Sequence, residues 1–209
     1  MAALVQRGHK AYAVGGCIRD SLLGVPPGDW DIATSALPQE VLDCLGGEAT
    51  GLKYGTVTVQ GVQVTTFRRE GAYSDHRRPD KVEFVGDLET DLARRDFTVN
   101  AMAVGMNGTL IDLFDGQEDL TKKLIRAVGN PHIRFMEDAL RILRALRFAS
   151  VLDFALEEET RAALLSSIDT LRFLTKKVTA REVEKLRAGM GAERIMREYA
   201  PLIPALDTV

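Results

Sequence analysis

The stretch AYAVGGCIRDSLLGVPPGDWDIAT, Ala11–Thr34, restricts the fold more than any other part of the chain. Lys10–Val14 is an apolar run too short for a helix and reads as a buried strand that Gly15-Gly16 ends. Cys17–Leu23 reads as a helix closed by Gly24, with Leu22 and Leu23 as core residues. Pro26-Pro27-Gly28 then turns the chain into a second strand at Trp30–Thr34. Elements this short need one another to bury an apolar face, so strands and helices must share a core.

The next segments continue in that style. Ser35 is cap-like before a helix at Pro38–Leu45. Val57, Val59, Val62 and Val64 alternate around Gly61 as a hairpin, and KVEFV is a further strand. AMAVGMNGTLIDLFDG reads as two strands joined at Asn107-Gly108. Between them, REGAYSDHRRPDK reads as a long mobile loop. Beyond Gln117 the pattern is helical, and PHIRFMEDALRILRALRFASVL runs from Pro131 without a breaker for about five turns. The expected architecture is α+β followed by an all-helical unit.

Composition limits what such a chain does. A 45% hydrophobic content with 27% charged residues supplies a globular core. No apolar run approaches the roughly 18 residues of a membrane span, and MAALVQRGHKAY lacks a signal-peptide pattern. Cys17 and Cys44 follow no paired spacing and read as reduced thiols of a cytoplasmic protein. His9, His76 and His132 are too scattered to suggest a metal site. A net charge of −3 argues against a basic nucleic-acid coat. The charge is uneven, with 13 basic against 18 acidic residues in 1–125 and 14 against 12 in 126–209.

Residues i and i+2 of a strand share a face, so Asp29 and Asp31 should project together while Trp30 turns away to pack. Two adjacent carboxylates repel unless a cation lies between them, and hard oxygen ligands favour Mg²⁺. Two such ions bridging a triphosphate would activate an attacking hydroxyl and stabilise the leaving pyrophosphate. Gly15-Gly16 would let backbone approach a ligand closely, and the following helix would aim free N–H groups at an anion. Arg19, one turn into that helix, suits phosphate oxygens, whereas Asp20 suits a structural pairing. The plain alternative is a pair of hydrated carboxylates at a turn.

GGCIRDSLLGVPPGDWDIAT resembles the signature of the class II tRNA nucleotidyltransferase and bacterial poly(A) polymerase family, part of the polymerase-β-like superfamily. RRDFTVNAMA (Arg94–Ala103) and EDALRILRALRF (Glu137–Phe148) continue the resemblance in the family's order. It implies a nucleotidyltransferase head with a mixed sheet and flanking helices over residues 1–125. A helical neck with a nucleotide-selecting helix would follow over 126–209, shorter than the family's usual extent. The implied activity is template-independent addition of C, C and A from CTP and ATP to the tRNA 3′ end, with release of pyrophosphate. A poly(A) polymerase and a CC-only or A-only activity share these motifs. A non-catalytic nucleotide- or RNA-binding fragment and a D-x-D glycosyltransferase are the readings of other kinds.

By the same resemblance Asp29 and Asp31 hold the catalytic Mg²⁺ ions, and Gly16 and Arg19 contact the triphosphate. Arg95 and Asp96 would lie near the ribose and phosphates, unless Arg94–Asp96 is a surface ion-pair cluster. Glu70 is a candidate third carboxylate. Arg68, Arg69, Arg77, Arg78 and Lys81 around Tyr73 would hold the acceptor stem or form a solvated loop.

The helix at Glu137–Phe148 offers a way to select bases. Ala139, Ile142, Leu143, Leu146 and Ala149 share one face, and Arg141, Arg144 and Arg147 spiral across the other, with Asp138 beside Arg141. Cytosine and adenine both offer an amino donor beside a ring-nitrogen acceptor, where uracil and guanine offer a carbonyl and N–H. A carboxylate with a guanidinium therefore accepts the first two and rejects the others. The resemblance gives this role to Asp138 and Arg141, with Arg144 and Arg147 nearby and Arg147 turned toward phosphate or RNA. The alternative is an amphipathic helix with Glu137–Arg141 and Asp138–Arg141 pairs on a solvated face.

Overall fold

A computed structural model describes residues 1–206. The chain divides into two compact units: Met1–Gly71 with Lys81–Gln117, and Ala72–Asp80 with the residues from Glu118 onward.

The strands are β1 Ala11–Val14, β2 Asp31–Thr34, β3 Glu48–Gly51, β4 Thr56–Val59, β5 Val62–Thr66, β6 Arg68–Glu70, β7 Val82–Phe84, β8 Met102–Val104, β9 Leu110–Asp112, β10 Leu124–Ile125 and β11 Ala155–Leu156. The helices are α1 Ala2–Gln6, α2 Gly16–Leu22, α3 Pro38–Leu45, α4 Leu88–Ala93, α5 Gly116–Lys122, α6 Pro131–Glu137, α7 Leu140–Val151, α8 Glu158–Ser166, α9 Lys176–Arg187 and α10 Ala192–Tyr199.

The first unit holds a seven-stranded mixed sheet in the order β3-β4-β5-β2-β1-β8-β9. β2 and β5 run parallel, while β1 pairs antiparallel with β2 on one side and β8 on the other. This is the α+β sheet with flanking helices expected from the sequence. β1 is therefore central and its residues are mostly buried, which is why a run as short as AYAV can be so apolar. The register Val14↔Asp31 brings the end of β1 to the start of β2, so the glycine turn and the acidic residue meet at one end of the sheet. Val14, Ala33, Phe67, Leu88, Leu92 and Ala103 form a core there, with Tyr12 stacked near Phe67.

Several local expectations are corrected. Ser35 does not cap α3; its Oγ accepts from Lys10 N at 2.9 Å, and the Leu37 amide that begins α3 donates to Glu40 Oε2 at 2.7 Å. The piece read as one mobile loop is divided: Arg68–Glu70 is β6, paired with β7, and 71–81 carries no strand or helix. Leu22, Leu23 and Trp30 are exposed, because α2 is short and the turn after it leaves them outside the core.

In the second unit α7 packs against α9 and α10, and α6 against α8. Ile142, Leu143, Leu146 and Ala149 are buried on the expected face of α7. Ser150 Oγ donates to Leu186 O at 2.6 Å, and Gly189 has no room for a Cβ against Ser150, so α7 meets the end of α9 closely. The unit is not purely helical, since β10 and β11 form a short parallel pair.

The five-turn helix expected from Pro131 is interrupted. Asp138 adopts extended backbone (φ −136°, ψ 103°) and separates α6 from α7. Its Oδ1 accepts from Leu140 N at 2.9 Å, satisfying an amide that helix start leaves free. No Gly or Pro marks this break, so periodicity alone runs straight through it.

Phe67 is fully buried in the first unit's core. Phe67→Ala is expected to lower unfolding free energy by about 3–5 kcal/mol in denaturant titration.

Candidate active site

Gly15 is the turn between β1 and α2, with φ 81° and ψ −137°, a conformation L side chains avoid. Its carbonyl accepts the first helical amides, Ile18 N and Arg19 N, at 3.1 and 3.2 Å. A Cβ built on Gly15 would lie 3.0 Å from Arg95 Nη1, 3.9 Å from the Asn100 carbonyl and 4.0 Å from Asp31 Oδ2. The glycine turn, a guanidinium and an acidic side chain thus converge on one point.

Asp31 begins β2 and is half-buried, whereas Asp29 lies in the preceding bend and is exposed. Strand alternation therefore does not apply to the pair, and Trp30 does not pack behind it. The two carboxyls are nevertheless near enough to repel. Burial raises the Asp31 pKa, Arg95 lowers it and Asp29 raises it, for a net position above the usual carboxylate range. Two oxygen-donor carboxylates in mutual repulsion suit a hard divalent cation, and Mg²⁺ takes one or two carboxylates with water and phosphate oxygens. Glu70 does not join them as a free third ligand. It lies on β6 and accepts from Arg68 Nη2 at 2.8 Å and Arg94 Nη1 at 3.1 Å.

Arg19 is buried, and its Nη1 donates to Asn100 Oδ1 at 2.6 Å while Nε donates to Asp20 Oδ1 at 2.8 Å. The expected structural pairing of Asp20 is therefore present. The Arg19 guanidinium also lies 3.4 Å from where a Cβ on Gly16 would be. Arg95 Nη1 donates to the Asn100 carbonyl at 3.3 Å. Asp96 Oδ1 accepts from Phe97 N at 2.9 Å and Asn100 Nδ2 at 3.3 Å. Asp29, Asp31, Gly16, Arg19, Arg95 and Asp96 all belong to the first unit, and Arg94–Asp96 is a largely buried network, not a surface cluster.

Asn100 was missed in the sequence, although it links Arg19, Arg95 and Asp96. It stands inside RRDFTVNAMA, and the signal was available in its company of charged residues followed by an apolar strand. Its own spacing gives no periodic cue.

In the second unit Asp138 Oδ2 pairs with Arg77 Nη1 at 3.0 Å, not with Arg141. Arg141 remains a close neighbour, since its amide donates to the Asp138 carbonyl at 2.9 Å and its charge acts on the Asp138 carboxyl. Arg141 is buried and donates through Nη1 to Glu137 Oε2 at 2.6 Å and the Arg134 carbonyl at 3.1 Å, and its guanidinium faces Tyr73. The face carrying Arg141 is covered by Ala72–Asp80, so it is not solvated. His76 holds that segment down: its carbonyl accepts from Ala139 N at 2.9 Å, Nδ1 meets the Met136 carbonyl at 2.7 Å, and its ring stacks on Phe173. Arg144 packs over Phe148, and Arg147 lies against Glu182 and Phe148.

The family of the Poly A polymerase head domain matches residues 11–126. A CCA-adding enzyme of Enterococcus faecalis is 50% identical over 192 residues, covering 90% of this chain and 47% of the relative. One from Lactobacillus delbrueckii subsp. bulgaricus is 47% identical over 201 residues, covering 94% and 51%. The crystal structure of the Bacillus stearothermophilus CCA-adding enzyme in complex with CTP superposes with a TM-score of 0.88 at 42% identity, over 99% of this chain and 53% of that one. The Thermotoga maritima CCA-adding enzyme complexed with tRNA gives 0.76 at 28% identity, over 95% and 48%. The chain spans about half the length of the curated relatives it matches. Among the described residues, no helix is long and apolar enough to cross a membrane.

Burial raises the Asp138 pKa, and Arg77, the Leu140 amide, Arg141 and Arg144 oppose it without cancelling it. With the folded value above the unfolded one, the stability from this group is full below the unfolded pKa and falls as pH rises through the folded pKa. Arg77→Ala removes the foremost opposing charge, so the Asp138 carboxyl should titrate at higher pH than in the unaltered chain. Carbon NMR titration of that carboxyl checks this; an unmoved or lower midpoint contradicts it.

Proposed function

Because the chain belongs to the Poly A polymerase head domain family through residues 11–126, we propose that it is a nucleotidyltransferase adding C, C and A to the tRNA 3′ end. The reading takes 1–125 as the catalytic head and 126–209 as a helical neck. CTP and ATP are the donors, the tRNA 3′-hydroxyl is the acceptor, and the two free thiols suit the reducing cytoplasm. The observation that carries the reading is the convergence of Asp31 and Arg95 on the Gly15 turn.

Asp29 and Asp31 would hold Mg²⁺, which supplies positive charge to the triphosphate and acidity to the attacking hydroxyl. The Gly15-Gly16 turn, with the Arg95 and Arg19 guanidiniums against it, would receive the phosphates, and Arg95 offsets negative charge beside Asp31. Arg19 is fixed by Asn100 and Asp20, so its charge stands at the start of α2 with little freedom to move. Asp96, held by Asn100 and its own neighbouring amide, would meet a ribose hydroxyl.

Base choice is assigned to Asp138 and Arg141, with Arg144 and Arg147 as supporting cations. An amino group of cytosine or adenine would share Asp138 Oδ2 with Arg77, and the ring nitrogen would accept from Arg141. Uracil or guanine would set a carbonyl against the carboxylate, an arrangement that costs both hydrogen bonds.

Turnover of a tRNA lacking its CCA end, with labelled CTP and ATP singly and together, tests this. The unaltered chain should add two C residues from CTP alone and a terminal A when both are present. Asp31→Asn should reduce incorporation by about a hundredfold or more. Asp138→Ala should lose preference for C and A over U and G while still responding to Mg²⁺. Long tails from ATP alone would indicate a poly(A) polymerase, and nucleotide binding without turnover a binding fragment.

A further inference from the structure

We infer that Asp91 is a positioning residue for the triphosphate end of the site, acting through Arg95. The inference rests on the nucleotidyl-transfer reading above and concerns a residue outside the glycine turn and the acidic pair.

Asp91 lies on α4 and is 1% exposed. A carboxylate in that position persists only if its oxygens are filled, and both are. Oδ1 accepts from Arg68 N at 3.2 Å and from Arg94 Nε and Nη2 at 3.0 and 2.8 Å. Oδ2 accepts from Arg95 Nη2 at 3.4 Å. Burial acts to raise the Asp91 pKa, but Arg94 and Arg95 overcome it and leave the group below its ordinary value. Asp91 is therefore a fixed negative charge in the interior.

That charge grips one end of the Arg95 fork. The other end, Nη1, donates to the Asn100 carbonyl at 3.3 Å and faces the Gly15 turn. The guanidinium is thus held at two points, one on α4 and one just before β8, and its orientation is set before any ligand arrives. Arg95 Nε is buried without a partner among the described residues, so the Asp91 and Asn100 contacts alone set the fork's direction. Leaving a buried donor unmatched costs stability. Arg94 carries the structural share of the network, because it also reaches Glu70 on β6.

Calorimetric titration of CTP with Mg²⁺ onto the full chain, together with melting temperature, tests the inference. Asp91→Asn keeps the volume and removes the charge; CTP Kd should rise about tenfold, the effect of losing one charge-assisted hydrogen bond. Arg95→Ala should weaken binding at least as much, and the Asp91→Asn/Arg95→Ala double variant no further than Arg95→Ala alone. In turnover the loss should fall on KM for CTP more than on kcat. Additive losses, a kcat effect alone, or a lower melting temperature with unchanged Kd would each overturn the inference. If Asp91→Asn does not fold, Arg95→Lys takes its place, keeping the charge without the two-ended fork. It should also weaken CTP about tenfold, and unchanged affinity would overturn the inference. Absence of CTP binding by the unaltered chain would defeat the nucleotidyl-transfer reading and this inference together, whereas binding with additive losses defeats this inference alone.

Discussion

The burial of the Asp31 carboxyl, beside Arg95 and Asp29, is the constraint on which the chemistry proposed for the first unit depends. A protein selected for stability alone would separate two such groups or neutralise them. Here the sheet register sets Asp31 opposite Val14, at the strand end where Gly15 turns, and a guanidinium is wedged against that turn. Arg95 outweighs Asp29 at the Asp31 carboxyl, but burial outweighs both and leaves it above its usual range. A divalent ion would offset that burial cost by stabilising the charged carboxylate, and the absence of a Cβ at Gly15 is what lets Arg95 approach the turn.

The fixed cations around that point form one connected structure. Asn100 receives Arg19 through its side-chain oxygen and Arg95 through its carbonyl, and gives its amide to Asp96. Each charged group is thereby oriented by a neutral hub or a buried acid, which would lower the reorganisation needed for the proposed triphosphate to bind. The second unit uses a different device. Breaking the helix at Asp138 aims its carboxyl out of the helical register, and the Ala72–Asp80 segment fills the break and covers Arg141.

Much of this was legible in the residues. The strand, glycine turn, helix and second strand of Ala11–Thr34 could be read because each has a local cause: apolar run, Gly-Gly, helical spacing, Pro-Pro-Gly. Pro38–Leu45 was legible to the residue, since proline and the apolar spacing both mark it. What escaped was set by tertiary partners. The break at Asp138 is stabilised by a side-chain cap and by the His76 carbonyl, neither of which alters the apolar period of the surrounding helix. Glu70 looked like a loop residue because the β6–β7 pairing is short and polar. Asn100 and Asp91 have no periodic or compositional signature, and they are recognisable only by the guanidiniums that reach them across the fold.

The central claim is that positions 29 and 31 serve a divalent ion shared with a nucleoside triphosphate. The most direct measurement is the gain in CTP affinity on adding Mg²⁺, compared between the unaltered chain and an Asp29→Asn/Asp31→Asn variant. The account predicts a large gain in the unaltered chain and none in the variant, whose metal-free affinity should instead increase because two negative charges no longer face the phosphates. An equal Mg²⁺-dependent gain in both would contradict it.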